Sequence, residues 1–176
     1  MAAQPRLLHV GTVLLALALS ACNGTVGADG PSPANPLDDE ENQLIYQLNQ
    51  VREAAGISTP VVVCNSLNVS AAAHSDDMRD KGYLSDQAPD GSTVRSRACT
   101  AGYAPGCNVS EAMAELVASG IEGGKAAVTQ WAADSKSNAV MTGASLLMAG
   151  TGRTVNLDGL AYWTLDLADK DDPSCH

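Results

Sequence analysis

Residues 71–103 read AAAHSDDMRDKGYLSDQAPDGSTVRSRACTAGY and hold the clearest structural signals of the chain. Four side chains recur at steps of four, three and four residues, which places them on one face of a predicted helix: Leu67, Ala71, His74 and Met78. Gly82 suits the end of this helix, because a residue in the left-handed conformation commonly closes a helix. Pro89-Asp90-Gly91 then predicts a turn. The segment therefore predicts a helix with one inward histidine, followed by a loop.

Three further helices are predicted around this segment. The first begins at the acidic run 38–41, where the helix dipole favours negative charge, and ends at Gly56. Ser110 suits the start of another helix, whose apolar residues are Met113, Leu116 and Val117. The last predicted helix covers residues 126–133.

The hydrophobic pattern changes to that of strands after Ser145. Residues 146–150 and 160–167 are predicted strands, and Asp158-Gly159 between them favours a tight hairpin. Helices that come first and an antiparallel hairpin that comes last predict an α+β layered domain.

The first 21 residues predict a bacterial lipoprotein signal peptide. Arg6 supplies the positive start, and the apolar run 7–19, at about 13 residues, is too short to span a bilayer. The run ends in small residues just before Cys22, as in a lipoprotein cleavage box. Cys22 is therefore predicted to become the lipidated first residue of the mature protein. An ordinary secretory signal, with Cys22 incidental, is the alternative.

The remaining chain divides into a tether and one domain. Residues 22–37 are rich in Gly, Pro, Ser, Ala and Asn without an apolar period, which predicts a flexible tether. Residues 38–176, about 140 in number, suit a single domain with its own core.

The charge of the chain excludes nucleic acid as a partner. The formal net charge is −10, and removal of Arg6 with the signal makes it −11. Phosphate binding needs clustered lysine and arginine, and the sequence shows no basic patch.

The cysteines predict two disulfide bonds. With Cys22 set aside, four remain, an even number in an exported chain: Cys64, Cys99, Cys107 and Cys175. There is no Cys-x-x-Cys pair, which argues against zinc. Three pairings are open, and Cys99–Cys107 with Cys64–Cys175 is preferred. The first bond would close a short loop, and the second would tie the C-terminal tail to the body.

Six short motifs occur in an order that resembles a known family. They are LNQVR (48–52), AHSDDM (73–78), GYLSD (82–86), ELVASG (115–120), Trp131 and YWT (162–164). Together they resemble the CAP superfamily, the SCP-like domain of cysteine-rich secretory and pathogenesis-related proteins, in its bacterial branch. The resemblance covers about residues 42–169 and implies an α+β fold, a three-layer α-β-α sandwich with antiparallel strands in the centre.

The resemblance also implies a central cavity that is usually lined by two histidines and two acids. The position of the loop histidine is held by Asp86, and that of the second histidine by Ser137. The first acid matches Glu115 rather than Glu111, and the second matches Asp134.

Both cavity histidines are thus replaced, and only oxygen donors remain. Imidazole is the usual neutral ligand of transition metals, so binding of that type is not expected. Oxygen donors suit Ca²⁺ or Mg²⁺, but the sequence gives no coordination geometry for either. No metal and no cofactor is predicted.

His74 has two interpretations. The favoured one is a hydrogen-bonded core histidine that supports the fold. In the alternative, His74 is catalytic with Glu115 or Ser137 in a hydrolase, a peptidase or esterase. The Gly-x-Ser-x-Gly signature of a hydrolase nucleophile is missing from the sequence.

The favoured function is a non-enzymatic binding module. We expect an exported lipoprotein, anchored through Cys22 to a bacterial membrane on its periplasmic or surface face, that binds a lipid, cell-wall or protein ligand. The expected binding residues are His74 together with the four cavity positions, Asp86, Glu115, Asp134 and Ser137. A hydrolase and a purely structural envelope protein are the alternatives.

Overall fold

The computed structural model describes residues 36–176. The predicted signal peptide, Cys22 and nearly all of the predicted tether lie outside these residues. Within residues 36–176, no helix is both long and apolar enough to cross a membrane.

Helices surround one four-stranded sheet. The α-helices are α1 Asp39–Ala54, α2 Asn65–Lys81, α3 Val94–Thr100, α4 Gly124–Ala133 and α5 Ser135–Met141. The strands are β1 Val62–Val63, β2 Met113–Ser119, β3 Met148–Val155 and β4 Ala161–Ala168. Short 3-10 turns cover Ala104–Cys107 and Pro173–Cys175.

The sheet has the order β1-β3-β4-β2, with β1 parallel to β3 and the other pairs antiparallel. Every residue of β4 is buried, because both faces of the sheet are covered. Trp163, Leu165 and Leu167 pack with α1, α4 and α5 on one face. On the other face α2 lies against β3 and β4, and α3 packs beside α2. The predicted α+β fold is confirmed.

The local signals at the ends of α1 and α2 act as the sequence predicted. The Asp38 side chain accepts a hydrogen bond from the Glu41 backbone, and the Glu41 side chain accepts one from the Asp38 backbone, which forms a capping box. Gly82 closes α2 in the left-handed conformation, with φ of 68°.

The helix predicted to start at Ser110 is wrong, because residues 113–119 form strand β2. Its residues alternate between the two faces of the sheet: Leu116 and Ala118 join the core with Trp163, while Glu115 faces α2. All seven residues of β2 pair with β4. The apolar spacing fitted a helix, but pairing along a fully buried neighbour decides the conformation.

Two glycines let α2 lie directly on the sheet. A Cβ atom at Gly150 would lie 2.2 Å from the carbonyl carbon of Leu67, and one at Gly152 would lie 2.2 Å from the nitrogen of Ala72. At this close approach Ser75 Oγ donates a 2.9 Å hydrogen bond to the carbonyl of Gly152. Helix α2 is therefore joined to β3 by backbone proximity and by side-chain hydrogen bonding.

Both preferred disulfide bonds are present. Cys64–Cys175 joins the start of α2 to the C-terminal 3-10 turn, and Cys99–Cys107 joins α3 to the turn that follows it. The preferred pairing is thereby confirmed.

Candidate functional site

Four polar side chains from four elements converge between the sheet and the layer of α2 and α3. They are His74 on α2, Arg97 on α3, Glu115 on β2 and Asp166 on β4, and we call them the Glu115 cluster. Arg97 Nη2 donates to both oxygens of Glu115, at 2.8 and 2.7 Å, and His74 Nε2 lies 3.3 Å from Glu115 Oε1. Glu115 and Asp166 are register partners in the β2–β4 pair. The cluster is almost entirely buried, and Arg97, with 11% of its side chain exposed, is its main contact with water.

His74 is fully buried and held by hydrogen bonding. Its Nε2 lies 2.9 Å from the carbonyl oxygen of Ser85. A carbonyl only accepts, so Nε2 carries the proton of the neutral ring. Burial lowers the pKa of His74, although the nearby carboxylate of Glu115 opposes this effect. At neutral pH His74 is therefore a neutral donor that fastens α2 to the loop after it.

Replacement of His74 by alanine should lower the free energy of unfolding by about 2–3 kcal/mol, because it leaves a cavity and removes a buried hydrogen bond. Denaturant unfolding measures this loss. His176→Ala is the matched control, since His176 is 61% exposed and should be neutral. Unchanged stability with loss of a measured ligand affinity would instead place His74 in recognition.

Arg97 belongs to the cluster but was not selected from the sequence. Its guanidinium also donates to the carbonyl oxygens of Ser92, at 3.0 Å, and Asp86, at 2.8 Å. It therefore ties the loop after α2 to Glu115. Only a weak signal for Arg97 is present in the sequence. A buried acid on β2 needs a nearby cation, and residues 82–114 contain only Arg95 and Arg97 as basic residues.

Asp166 was also missed, although its sequence carries a signal. It is the one charged residue in the strand AYWTLDLA (161–168). Asp166 is completely buried, and neither of its carboxyl oxygens has a hydrogen-bond partner in the described part of the chain. The hydroxyl of Ser70, also buried, lacks one as well. A lone acid inside an apolar strand is thus a reason to look for a buried site.

The carboxyl groups of Glu115 and Asp166 share one proton. Burial raises the pKa of both Glu115 and Asp166, and the nearby Asp166 raises that of Glu115 further. The pair therefore holds a proton at neutral pH. The proton belongs to the pair, and Arg97, which bonds both oxygens of Glu115 and neither oxygen of Asp166, stabilises the one negative charge that remains. In this state the cluster is neutral overall, with one ion pair.

This shared proton makes the stability depend on pH. A carboxyl with a raised pKa stabilises the fold at low pH, and the contribution is lost as the pH rises. His74, with a lowered pKa, acts oppositely, but only below about pH 6.5, its unfolded-state value. From pH 7 to 9 the free energy of unfolding should therefore fall, by up to about 1.4 kcal/mol per pH unit.

Asp166→Asn is the matched variant for this pH measurement, since it keeps the shape of a protonated aspartate. It should show a flatter profile from pH 7 to 9 in denaturant unfolding. Parallel profiles for the two proteins would mean that Asp166 holds no proton.

The structure places the other predicted residues differently. Asp86 is exposed, and its backbone carbonyl rather than its carboxylate meets Arg97. Asp134 caps α5 by accepting from the Ser137 backbone at 2.8 Å, and Ser137 Oγ donates to the same Asp134 oxygen at 2.9 Å. Among the hydrogen bonds and ion pairs of residues 36–176, none joins Asp134 or Ser137 to the cluster. Of the predicted residues, the structure thus brings only His74 and Glu115 together, and it adds Arg97 and Asp166, which the sequence reasoning missed.

A groove of about 490 Å³ lies beside the cluster, between α2 and α3. Most of its exposed lining surface is apolar, although Val69, Ala73 and Ala101 are its only apolar lining residues and Thr100 carries a hydroxyl. Ser92 and Ser96 add hydroxyls, and Ser70 and Arg97 lie at its base. Arg97 therefore belongs to both the groove and the cluster. The groove suits an apolar ligand segment that ends in a hydrogen-bonding group.

Helices on both faces of the sheet, with a buried acid, histidine and arginine next to a groove, describe a small layered α+β domain, and its family can be named. The family model described as the cysteine-rich secretory protein family, CAP, matches residues 45–166. This match covers more than half of the chain, so the chain belongs to the CAP family. The resemblance found in the sequence is confirmed at this level, while its bacterial branch and the lipid anchor stay predictions.

Two solved structures illustrate the fold. An outer surface protein from Borrelia burgdorferi aligns with a TM-score of 0.65 at 14% identity, over 77% of this chain and 97% of that one. An extracellular protein containing an SCP domain from Bacillus anthracis aligns with a TM-score of 0.59 at 20% identity, over 77% of this chain and 45% of that one. At these identities the likeness shows the fold alone. No curated protein matches the chain by sequence.

Proposed function

We propose that the protein is an exported, membrane-anchored binding module, and that the groove between α2 and α3 receives the apolar part of a lipid. The observation that carries this proposal is the groove itself, which is mainly apolar and is built against a neutral, buried cluster. Lipid is favoured over a cell-wall glycan, because the groove has no aromatic residue in its lining for a sugar ring to stack on. A protein ligand that inserts an apolar side chain is the other outcome of the test.

The chemistry of the cluster supports binding rather than hydrolysis. Within the described chain, the polar contacts of the His74 ring are the Ser85 carbonyl, Glu115 and Tyr83, and none of these is an activated serine or cysteine. The Glu115 carboxylate is already paired with the Arg97 guanidinium. The cluster therefore holds the sheet, α2 and α3 together beneath the groove.

Lipid binding can be tested by titration of the protein with a fluorescent fatty acid analogue. Ala73→Trp fills the groove, because Ala73 is exposed on its wall, and should weaken binding at least tenfold. Ala54→Trp is the matched control at an exposed end of α1 and should bind as the wild type does. Equal affinity of the Ala73→Trp variant and wild type would exclude the groove. No binding by any of the proteins would direct the search to a protein ligand.

The anchor is a separate element of the proposal. Its support is the sequence that ends at Cys22, together with structural neighbours described as outer surface and extracellular proteins. Membrane fractionation should find the wild type with the membranes and Cys22→Ser in the soluble fraction. Equal distribution of the two proteins would exclude lipidation at Cys22.

A further inference from the structure

The hairpin between β3 and β4 carries an apolar tip at one end of the domain. Leu157 is fully exposed, and Val155 and Leu160 are 40% and 38% exposed. The turn is closed by its own hydrogen bonds, since Asn156 Oδ1 accepts from the backbones of Asp158, at 3.0 Å, and Leu160, at 2.8 Å. The three apolar side chains are therefore not needed to form the turn, and they are available to a partner.

The tip lies at the end of the domain where the chain enters α1. Arg153, two residues before the tip, forms a 3.2 Å ion pair with Asp38. A shallow pocket at this end is lined by Glu40 of α1 together with Val155 and Gly159 of the hairpin. The first residue of the described domain, Pro36, is two positions before Asp38. Any attachment of the chain before Pro36 therefore reaches the domain beside the tip.

The length of chain before the domain limits how far the tip can lie from a membrane. Between Cys22 and Pro36 the chain advances by 14 residues. A segment of this length reaches at most roughly 50 Å at full extension. A short tether also raises the effective concentration of a weak second contact to roughly the millimolar range.

The charges around the tip select the kind of lipid surface. The nearby arginines are already paired: Arg79 with Asp76 and Asp80, and Arg153 with Asp38. Asp158 lies in the turn itself, and Glu40 and Glu122 line the adjoining pocket. An acidic rim disfavours anionic headgroups and accepts neutral, zwitterionic ones.

We infer that Val155, Leu157 and Leu160 insert into the zwitterionic surface of the bilayer that holds the lipid anchor, so that the domain rests on the membrane by this hairpin. The inference rests on the anchor at Cys22 proposed above. It gives the domain a defined orientation. Asp166 lies six residues along β4 from Leu160, so the Glu115 cluster and its groove are held roughly 20 Å above the hairpin tip.

The experiment uses the full chain, purified with its lipid and reconstituted in phosphatidylcholine vesicles whose acyl chains carry bromine, a quencher of tryptophan. Leu157→Trp places the probe on the tip, at a position where nothing packs. The matched control is Val109→Trp, since Val109 is 86% exposed and lies before Met113, at the end of β2 away from the hairpin. The native Trp131 and Trp163 are buried in the core and give a constant background.

We expect brominated vesicles to quench Leu157→Trp at least twofold relative to unbrominated ones, with Val109→Trp and wild type unchanged. Replacement of half the phosphatidylcholine by phosphatidylglycerol should reduce the quenching.

Flotation of the vesicles distinguishes failure of the tip contact from failure of the lipid anchor. If wild type floats and Leu157→Trp is unquenched, the tip contact is excluded and the anchor stands. If wild type does not float, the anchor fails and the tip contact fails with it. A blue-shifted but unquenched tip with a dimeric protein would assign the tip to a second copy, which also overturns the inference.

Discussion

Glu115→Ala should lower the free energy of unfolding by about 3–5 kcal/mol, the largest effect expected of a single substitution in this protein. Arg97 keeps only 11% of its side chain exposed, and its charge would lose the carboxylate that accepts two hydrogen bonds from it. The guanidinium would then lie beside the uncharged His74, and the carboxyl that remains nearby, Asp166, makes no hydrogen bond to it. An unpaired buried charge is far more costly than the pair itself is stabilising.

A double-mutant cycle separates the pair from the residues around it. Arg97→Met combined with Glu115→Leu should be less destabilised than the sum of its single variants, because both charges are then removed. Lys81→Ala is the exposed control: its partner is Asp77 at 2.6 Å, its side chain is 47% exposed, and its removal should change the free energy by less than about 1 kcal/mol. If Glu115→Ala is as mild as Lys81→Ala, then the cluster does not stabilise the fold.

Removal of the Cys64–Cys175 bond by a double alanine substitution should cost about 4–5 kcal/mol. The two cysteines are separated by 111 residues, so the bond restricts nearly the whole domain in the unfolded state. The second disulfide is its internal control. Cys99 and Cys107 are 8 residues apart, and the same reasoning gives about 2–3 kcal/mol for their removal.

The midpoints of thermal or denaturant unfolding for the two double variants test this ordering. A larger loss for the Cys99–Cys107 variant would contradict the entropic explanation. It would show that the local fixing of α3, rather than the length of the closed loop, determines the stability.

The sequence predicted the fold where a local rule and the tertiary structure agree. The inward face of α2, its end at Gly82 and the hairpin after β3 follow from spacing and turn chemistry, and all three are present. The predicted strand 160–167 lies one residue before β4, whereas the predicted strand 146–150 begins two residues before β3 and stops five residues short of its end. The helix prediction for residues 113–119 was wrong, because Met113, Leu116 and Val117 also fit helical spacing. Only the pairing with β4 distinguishes a strand from a helix here.

The candidate site was predictable only in part, because some of its residues are brought together by the order of the strands and not by local sequence. Glu115 was matched through a family motif and His74 through its helix face, and their 3.3 Å approach joins them as one site. The places of Arg97 and Asp166 in the site depend on which strands are neighbours in the sheet. Local sequence patterns do not determine that strand order. Asp134 and Ser137 follow the motif spacing, but they use their hydrogen bonds to start α5.

The two glycines beneath α2 determine which wall of the groove can move. With backbone against backbone at Gly150 and Gly152, α2 has no soft layer of side chains on which to slide, and it behaves as part of the sheet. Helix α3 is only seven residues long, buries Ala98 in the core, and is also tied to its neighbours by Arg97 and one disulfide bond. We therefore expect any adjustment to the thickness of a ligand to come from α3 rather than from α2.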